Sequence, residues 1–599
     1  MNDPATTADV LHDLGVYSRG AHALVDARDN GTVFTTVVEI DAVPWVGPAS
    51  LAALYAAVDG AECSSDTAMD CDERAVVDLL DDPELDADAL RELGVYSRGA
   101  DALLDARAEG AALDSYEAID AISYVGPSSM SALRVWGELQ CEAQPEARAV
   151  FSPQSYAQSH LSDVQLLLDE ATVSLDIAMY SFSDEGMYQA VERATARGVS
   201  VRVIFETARE DRKDVEGSRS ERLEAMGAEV RWVNKIMHEK FVLVDGPRDT
   251  LDQLDHAVFA GGSANWSYSA ATRYDENTAI VRHDDKLILA FQQEFNHMWT
   301  HSRPVVSNES IPHVPVTFEI SPSMIEAAPG TEVIFTSANF NVYFSNTYGW
   351  TFSAPAGVHT VADRIADEIS QATSSIHIAS GHMRSKQIAD ALLAKHAESP
   401  EVEILVYLDG QEWISAWWEN EQNEDLAECL EEATTDIQRA RCEEVGRYFS
   451  KALADAGIDV RFDYYAFRWH YTYAEQMHHK YIILDGERVL TGSYNFSSNA
   501  EVDSFENVVL FDASNYPELV DAFIDNHAEL WETGQGSYEP LLDEIVTGTA
   551  PTFPIVWSPM SLNWSEVNAL KAAVRTACPA VDSEAYRDDP SAYQACERP

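Results

Sequence analysis

The chain has 599 residues, 46% of them hydrophobic and 10% aromatic, and carries 40 Lys and Arg against 101 Asp and Glu, a formal charge of −61. That composition excludes a disordered chain and suffices for three or four domains. The charge disfavours loose binding to nucleic acid or anionic lipid, which relies on a basic face. No run of about 18 apolar residues writes a transmembrane segment.

The opening stretch, MNDPATTADVLHDLGVYS, lacks the basic and apolar regions of a signal peptide. Two readings stay open: a cytoplasmic protein, or a mature sequence whose leader has been removed. Residues 1–145 then hold a repeat. LGVYSRGAHALVDAR at 14–28 returns as LGVYSRGADALLDAR at 93–107, and IDAVPWVGPASLAAL at 40–54 returns as IDAISYVGPSSMSAL at 119–133. Two all-α units, 14–56 and 93–136, are expected. In each, Gly47 or Gly126 makes a tight turn and Pro48 or Pro127 opens the next helix.

A larger repeat follows. A helix running into a strand at 151–183 lines up with 352–384, and the strands GVSVRVIFE and EVEILVYLD come next in each half. MHEKFVLVDG at 237–246 then matches MHHKYIILDG at 477–486, and each half closes on a helix ending in Trp. Strands alternating with helices predict an α/β sheet in each half. The halves are placed at 149–303 and 351–535, joined by a linker at 304–350. A helical insertion is expected at about 411–450, and residues 536–599 form a C-terminal tail.

Seven cysteines cluster locally: Cys63, Cys71 and Cys141, then Cys429 with Cys442, and Cys578 with Cys596. The clustering favours disulfides and an extracytoplasmic location, periplasmic or secreted, with a cytoplasmic one as the alternative. No cysteine has a zinc-ligand spacing, so no metal site is expected.

The chemistry concentrates in two matched series. The first half carries His238, Lys240, Asp245, Ser263, Asn265 and Glu276; the second carries His478, Lys480, Asp485, Ser493, Asn495 and Glu506. Asn and Glu are 11 residues apart in both. On a strand, His and Lys at i and i+2 face the same side, which sets a nucleophilic imidazole beside an anion clamp. The Asn and Ser side chains add neutral donors, and Glu can orient His through its other ring nitrogen. One half gives one His; two halves about a pseudo-twofold axis surround a single tetrahedral phosphate.

These segments resemble the HKD motifs of the phospholipase D superfamily, HxKx4D followed by GSxN and a later Glu. The resemblance covers roughly 150–535. It implies two pseudo-twofold-related α/β/α lobes, a phosphohistidine intermediate and no cofactor. It makes His238 the nucleophile and His478 the general acid. Lys240, Lys480, Asn265, Asn495, Ser263 and Ser493 bind the phosphate, Glu276 and Glu506 join the catalytic set, and Asp245 and Asp485 have a supporting role. ASGHMRS in the second half replaces AMYSFSD of the first, and the exchanged residues are expected to line the substrate pocket.

The N-terminal repeats resemble helix-hairpin-helix modules, which hold DNA phosphates with backbone N–H groups. Trp45 and Tyr124 stand where the usual pattern has its first glycine. Residues 1–150 hold no lysine and 8 Arg against 29 acidic residues, which argues for a structural or protein-contact role instead. The function expected is hydrolysis or transfer of a phospholipid headgroup by a monomer. The alternatives are a nucleic-acid phosphodiesterase of the same superfamily and a cardiolipin synthase-like phosphatidyl transferase.

Overall fold

The computed structural model describes residues 146–305, 314–466, 475–547, 556–579 and 583–589, and before them only scattered parts of 11–133. Residues 1–142 and 143–599 form two separate units.

In the first unit the described residues include α1 (Ala87–Glu92), α2 (Ser97–Ala108) and α3 (Tyr116–Asp120). Leu90, Val95, Leu103, Ile119 and Val125 share a small core. Arg107, in the last turn of α2, donates to Leu80 O and Leu85 O. Tyr124 has a φ of 72°, the left-handed region that the missing glycine adopts freely. Gly47, Pro48, Gly126, Pro127 and most of the first repeat lie outside the described residues.

The second unit repeats one topology twice. Its first half contains β1 (Glu146–Ser152), α4 (His160–Glu170), β2 (Ser174–Met179), α5 (Glu185–Arg197), β3 (Ser200–Phe205), β4 (Glu229–Trp232), β5 (Ile236–Met237), β6 (Lys240–Val244), β7 (Val258–Gly262), β8 (Tyr274–Arg282), α6 (Asp285–Thr300) and β9 (Arg303–Pro304). In space the sheet runs β1-β8-β7-β6-β2-β3-β4-β9. The second half contains β10 (Glu332–Phe335), the hairpin β11 (Asn341–Ser345) and β12 (Gly349–Ser353), α7 (Thr360–Gln371), β13 (Ser375–Ser380), α8 (Lys386–Glu398) and β14 (Glu403–Asp409). It continues with α9 (Ala416–Glu432), α10 (Asp436–Glu443), β15 (Asp459–Ala466), β16 (Gln476–Met477), β17 (Lys480–Leu484), β18 (Arg488–Gly492), β19 (Ser504–Phe505), β20 (Asn507–Asp512), α11 (Pro517–Glu532), β21 (Val556–Asn563) and α12 (Trp564–Ala577). Its sheet, β10-β20-β18-β17-β13-β14-β15-β21, matches the first strand for strand.

The pattern follows from the sequence. SLDIAM of β2 and KFVLV of β6 are buried at every position, as central strands covered on both faces must be. Parallel pairing of β2 with β3 uses α5 as the crossover. Asp184 caps α5 at its start and left-handed Gly198 ends it. Glu332–Phe335, inside the segment read as a linker, forms the edge strand β10 on β20. Likewise β21, from the tail, pairs with β15. The insertion folds as α9 and α10, joined by the Cys429–Cys442 disulfide that the spacing predicted. Cys578 is also disulfide-bonded; Cys63, Cys71, Cys141 and Cys596 lie outside the described residues.

The two lobes share one core. Met237, Phe241, Phe259, Phe291 and Phe295 of the first pack in one cluster with Tyr481, Phe505, Phe511 and Phe523 of the second. Two glycines set the approach of the strands at the site. A Cβ on Gly262 would lie 2.4 Å from Asn277 O, and one on Gly492 would lie 2.3 Å from Asn507 O. Gly492→Ala is therefore expected to destabilise the protein by about 2 kcal/mol in urea unfolding. Gly446→Ala, where a Cβ meets nothing within 4 Å, should leave the urea midpoint nearly unchanged.

Candidate active site

Each histidine enters the site at the end of a two-residue strand that pairs with the other lobe. β5 lies parallel to β19, and His238 N donates to Phe505 O over 3.1 Å. β16 lies parallel to β8, and His478 N donates to Asp275 O over 3.0 Å. This places each imidazole next to the glutamate that follows the accepting residue, Glu506 after Phe505 and Glu276 after Asp275. Glu506 Oε2 is 2.8 Å from His238 Nδ1, and Glu276 Oε1 is 2.7 Å from His478 Nδ1. The sequence pairs His with Glu in a general way; the structure crosses the pairs between lobes. A carboxylate at Nδ1 keeps the proton there and leaves Nε2 with its lone pair.

All four residues are buried, and burial dominates their protonation. It pushes His238 down, partly countered by Glu506, and takes His478 down to about 4 against the pull of Glu276. Burial raises both carboxyls. His478 and Lys480 more than offset this at Glu276, as His238 and Lys240 do at Glu506, so both stay below the ordinary glutamate range. Each dyad is thus a neutral imidazole on a charged carboxylate near pH 7.

Lys240 Nζ donates to His238 O at 2.5 Å, and Lys480 Nζ donates to His478 O at 2.6 Å. Burial lowers Lys240 to about 7, with Glu506 opposing it and the Lys480 charge adding to it. Lys480 falls to about 8, again through burial, with Glu276 and Glu506 opposing. The Lys480 charge acts on Lys240, and both lysines act on both histidines, so the four side chains form one electrostatically linked group.

Ser263, Ser493 and Asn265 of the two series are held by the residues around the glutamates and strand ends. Ser493 Oγ donates to Glu506 Oε2 and accepts from Asn507 N, and Ser504 Oγ donates to Glu506 Oε1. Ser263 Oγ accepts from Asn277 N. Asn265 Oδ1 accepts from Ser181 N at 3.2 Å, which leaves Nδ2 as the donor of that side chain. Asn495 Oδ1, its counterpart, is buried without a partner. Asp245 and Asp485 lie away from this group. Both have positive φ, 50° and 58°, and their carboxylates clasp the start of a central strand. Asp245 accepts from the N–H groups of Thr172, Val173 and Ser174, and Asp485 from those of Thr373, Ser374 and Ser375.

The exchange of AMYSFSD for ASGHMRS, marked in the sequence, gains a geometry here, and one further feature escaped the sequence reading. The Tyr180 ring meets His238 edge to face at 4.6 Å, with Lys240 Nζ 5.0 Å from its centre. The matching residue is Gly381, where a Cβ would meet Met477 O at 2.9 Å and His478 Cδ2 at 3.9 Å. Consequently the His478 side chain is 21% exposed and that of His238 only 11%. Finally, Glu206 Oε2 and Asp409 Oδ2 accept from Met237 N and Met477 N, fixing the approach to each histidine. The repeat aligns these two acids at the ends of GVSVRVIFE and EVEILVYLD, a signal present in the sequence.

Fold and site together define a class: two α/β lobes, each lending one His, one Lys and one Glu to a single cluster of buried side chains. The family described as "Cardiolipin synthase, PLD-like domain" matches residues 165–299 and 365–531, half of the chain. The chain belongs to this family, within the phospholipase D superfamily of phosphodiesterase-type enzymes. A mitochondrial cardiolipin hydrolase of Xenopus tropicalis is 34% identical over 155 residues, 25% of this chain and 67% of that protein. Across four such relatives the match spans 54–67% of their length. Among solved structures, the phospholipase D family member Nuc from Salmonella typhimurium is 23% identical, covering 27% of this chain and 97% of that one, with a TM-score of 0.22. Phosphatidylserine synthase of Haemophilus influenzae Rd KW20 is 13% identical over 65% of this chain and 89% of that one, with a TM-score of 0.40.

Proposed function

We propose that the protein cleaves phospholipid headgroups as a phosphodiesterase whose two histidines share one phosphate. The observation that carries this reading is the crossed pair of His–Glu contacts beside two buried lysines. His478 first takes up a proton on Nε2, forming an imidazolium that Glu276 and the bound phosphate anion stabilise. His238 Nε2 then attacks phosphorus as the bond to the leaving oxygen breaks, and His478 gives that Nε2 proton to the oxygen. Water then attacks the phosphohistidine, His478 takes its proton, and the P–N bond breaks. Lys240, Lys480, Asn265 and Asn495 hold the equatorial oxygens, each such donor contributing on the order of 3 kcal/mol. The lysines supply the positive charge that metal ions provide in other phosphoryl-transfer sites.

A lipid substrate agrees with the names of the relatives, while the formal charge of −61 disfavours nucleic acid and, among lipids, anionic surfaces. It also agrees with Trp417 and Trp418, adjacent and more than half exposed at the start of α9, since tryptophan favours the membrane interface. The disulfides favour an oxidising, extracytoplasmic compartment. A nuclease is the second reading, favoured by the left-handed φ of Tyr124, which stands where the helix-hairpin-helix pattern has a glycine. Incubation in EDTA with phosphatidylcholine, cardiolipin, single-stranded DNA and RNA separates them. Headgroup release without strand cleavage is expected, and the reverse result would overturn the lipid reading.

The lysines set a pH dependence. Deprotonation removes their charge, so kcat/KM on a soluble phosphodiester should fall as pH rises through about 7 to 8. A bound anionic phosphate stabilises the ammonium form, so the same fall in kcat should come at higher pH. A flat kcat/KM profile from about pH 6 to 9.5 would rule out lysine control.

A further inference from the structure

A cavity of about 640 Å³ opens beside α6, lined by Glu294, His297, Val316, Ile320, Val333 and Phe335 among others. Its size falls within the range of small-ligand sites, and its walls mix apolar side chains such as Val316, Ile320 and Phe335 with polar ones such as Gln293, Asn296 and Glu319. Two polar atoms in the lining residues lack partners. Glu294, 95% buried, accepts from Ser337 Oγ through Oε2, but its Oε1 has no hydrogen-bond partner, and neither has His297 Nε2. One turn apart on α6, the two residues lie on the same helix face.

The internal repeat indicates that this is a property of the first lobe and not of the fold. A smaller cavity of about 280 Å³ occupies the matching place in the second lobe, beside α11. There Asn526 stands in place of Glu294, and its Oδ1 accepts from Tyr481 Oη at 2.9 Å. In the first lobe the tyrosine is Phe241, which has no hydroxyl to give. The paired exchange, Asn to Glu and Tyr to Phe, adds a carboxylate and removes its donor. A buried carboxylate oxygen without a donor costs free energy that a ligand can return. Glu239, between His238 and Lys240, is a second buried carboxyl, set against the Asn507 side chain and within the field of Glu294.

We propose that this cavity binds a small organic ammonium ion, held by the Glu294 carboxylate with His297 beside it, while its carbon chain lies against Val316, Ile320 and Phe335. The site is separate from the phosphate centre and does not depend on which phosphodiester is cleaved. Its link to that centre is Glu239, which burial and then the Glu294 charge hold well above the usual carboxyl range; a cation on Glu294 offsets that charge.

Calorimetry and thermal unfolding of the full chain with n-butylammonium test this, with n-butanol, KCl and MgCl2 as parallel probes. Burial pushes Glu294 up to about 7, so pH 8 is the suitable condition. Butylammonium should bind with one-to-one stoichiometry and raise Tm, while butanol and the inorganic cations should not. Glu294→Gln should weaken binding at least about tenfold. Val316→Trp, which fills the cavity and leaves the carboxylate in place, should do the same and keeps the test valid if the first variant folds poorly. Absence of binding, equal binding in both variants, or an equal effect of Mg2+ would overturn the proposal.

Discussion

His238→Ala is expected to lower phosphodiester turnover at least about 10⁴-fold, and His478→Ala to do the same on esters with poor leaving groups. The reason is geometric. Each imidazole has its Nδ1 on a buried glutamate, so each has one free ring nitrogen, and no other imidazole–carboxylate pair among the described residues is joined to the catalytic lysines. Because the two act on one phosphate, their losses should not add. The double variant should be no slower than the slower single one, as for groups that work as a unit. Stopped and steady-state assays on phosphatidylcholine and on a p-nitrophenyl phosphodiester provide the measurement. Turnover within tenfold of wild type in either single variant on the lipid ester would end the shared-phosphate mechanism.

The second large effect follows the crossing. Glu506→Gln should impair the chemistry of His238, and Glu276→Gln that of His478, although each glutamate belongs to the other lobe. An amide at Nδ1 no longer fixes the N–H tautomer or stabilises the imidazolium, a change expected to cost between about 10² and 10⁴ in kcat. The leaving group sorts the pairs. If His478 is the acid, then p-nitrophenolate, which leaves without a proton, should restore most activity to His478→Ala and Glu276→Gln. It should restore little to His238→Ala and Glu506→Gln. Rescue of the opposite set would exchange the roles of the two histidines. Rescue that pairs each glutamate with the histidine of its own lobe would contradict the observed contacts.

The His, Lys, Asn, Ser and Glu residues were legible because a repeat with matched spacing singles them out of a chain with 17 histidines. Their convergence was also legible, since one phosphate between two halves needs both sets. The crossing was not. It rests on two-residue strands that join segments more than 200 residues apart, β5 with β19 and β16 with β8. Strands that short carry no periodicity. The four residues of β10 read as linker for the same reason: EVIF becomes a strand only against the free edge of β20. Tyr180 could be marked as different from Gly381 by aligning the halves, but its place over the His238 ring required the turn at the end of β2.

The crossed contacts also bear on how such a protein comes to exist. A chain with one half alone has no carboxylate for its own histidine and must find it in a second copy, related by a twofold axis and therefore identical. Joining the copies end to end lifts that identity. One side can then keep an aromatic ring over its histidine while the other keeps a glycine, and a phosphodiester likewise has two ester arms that are seldom alike.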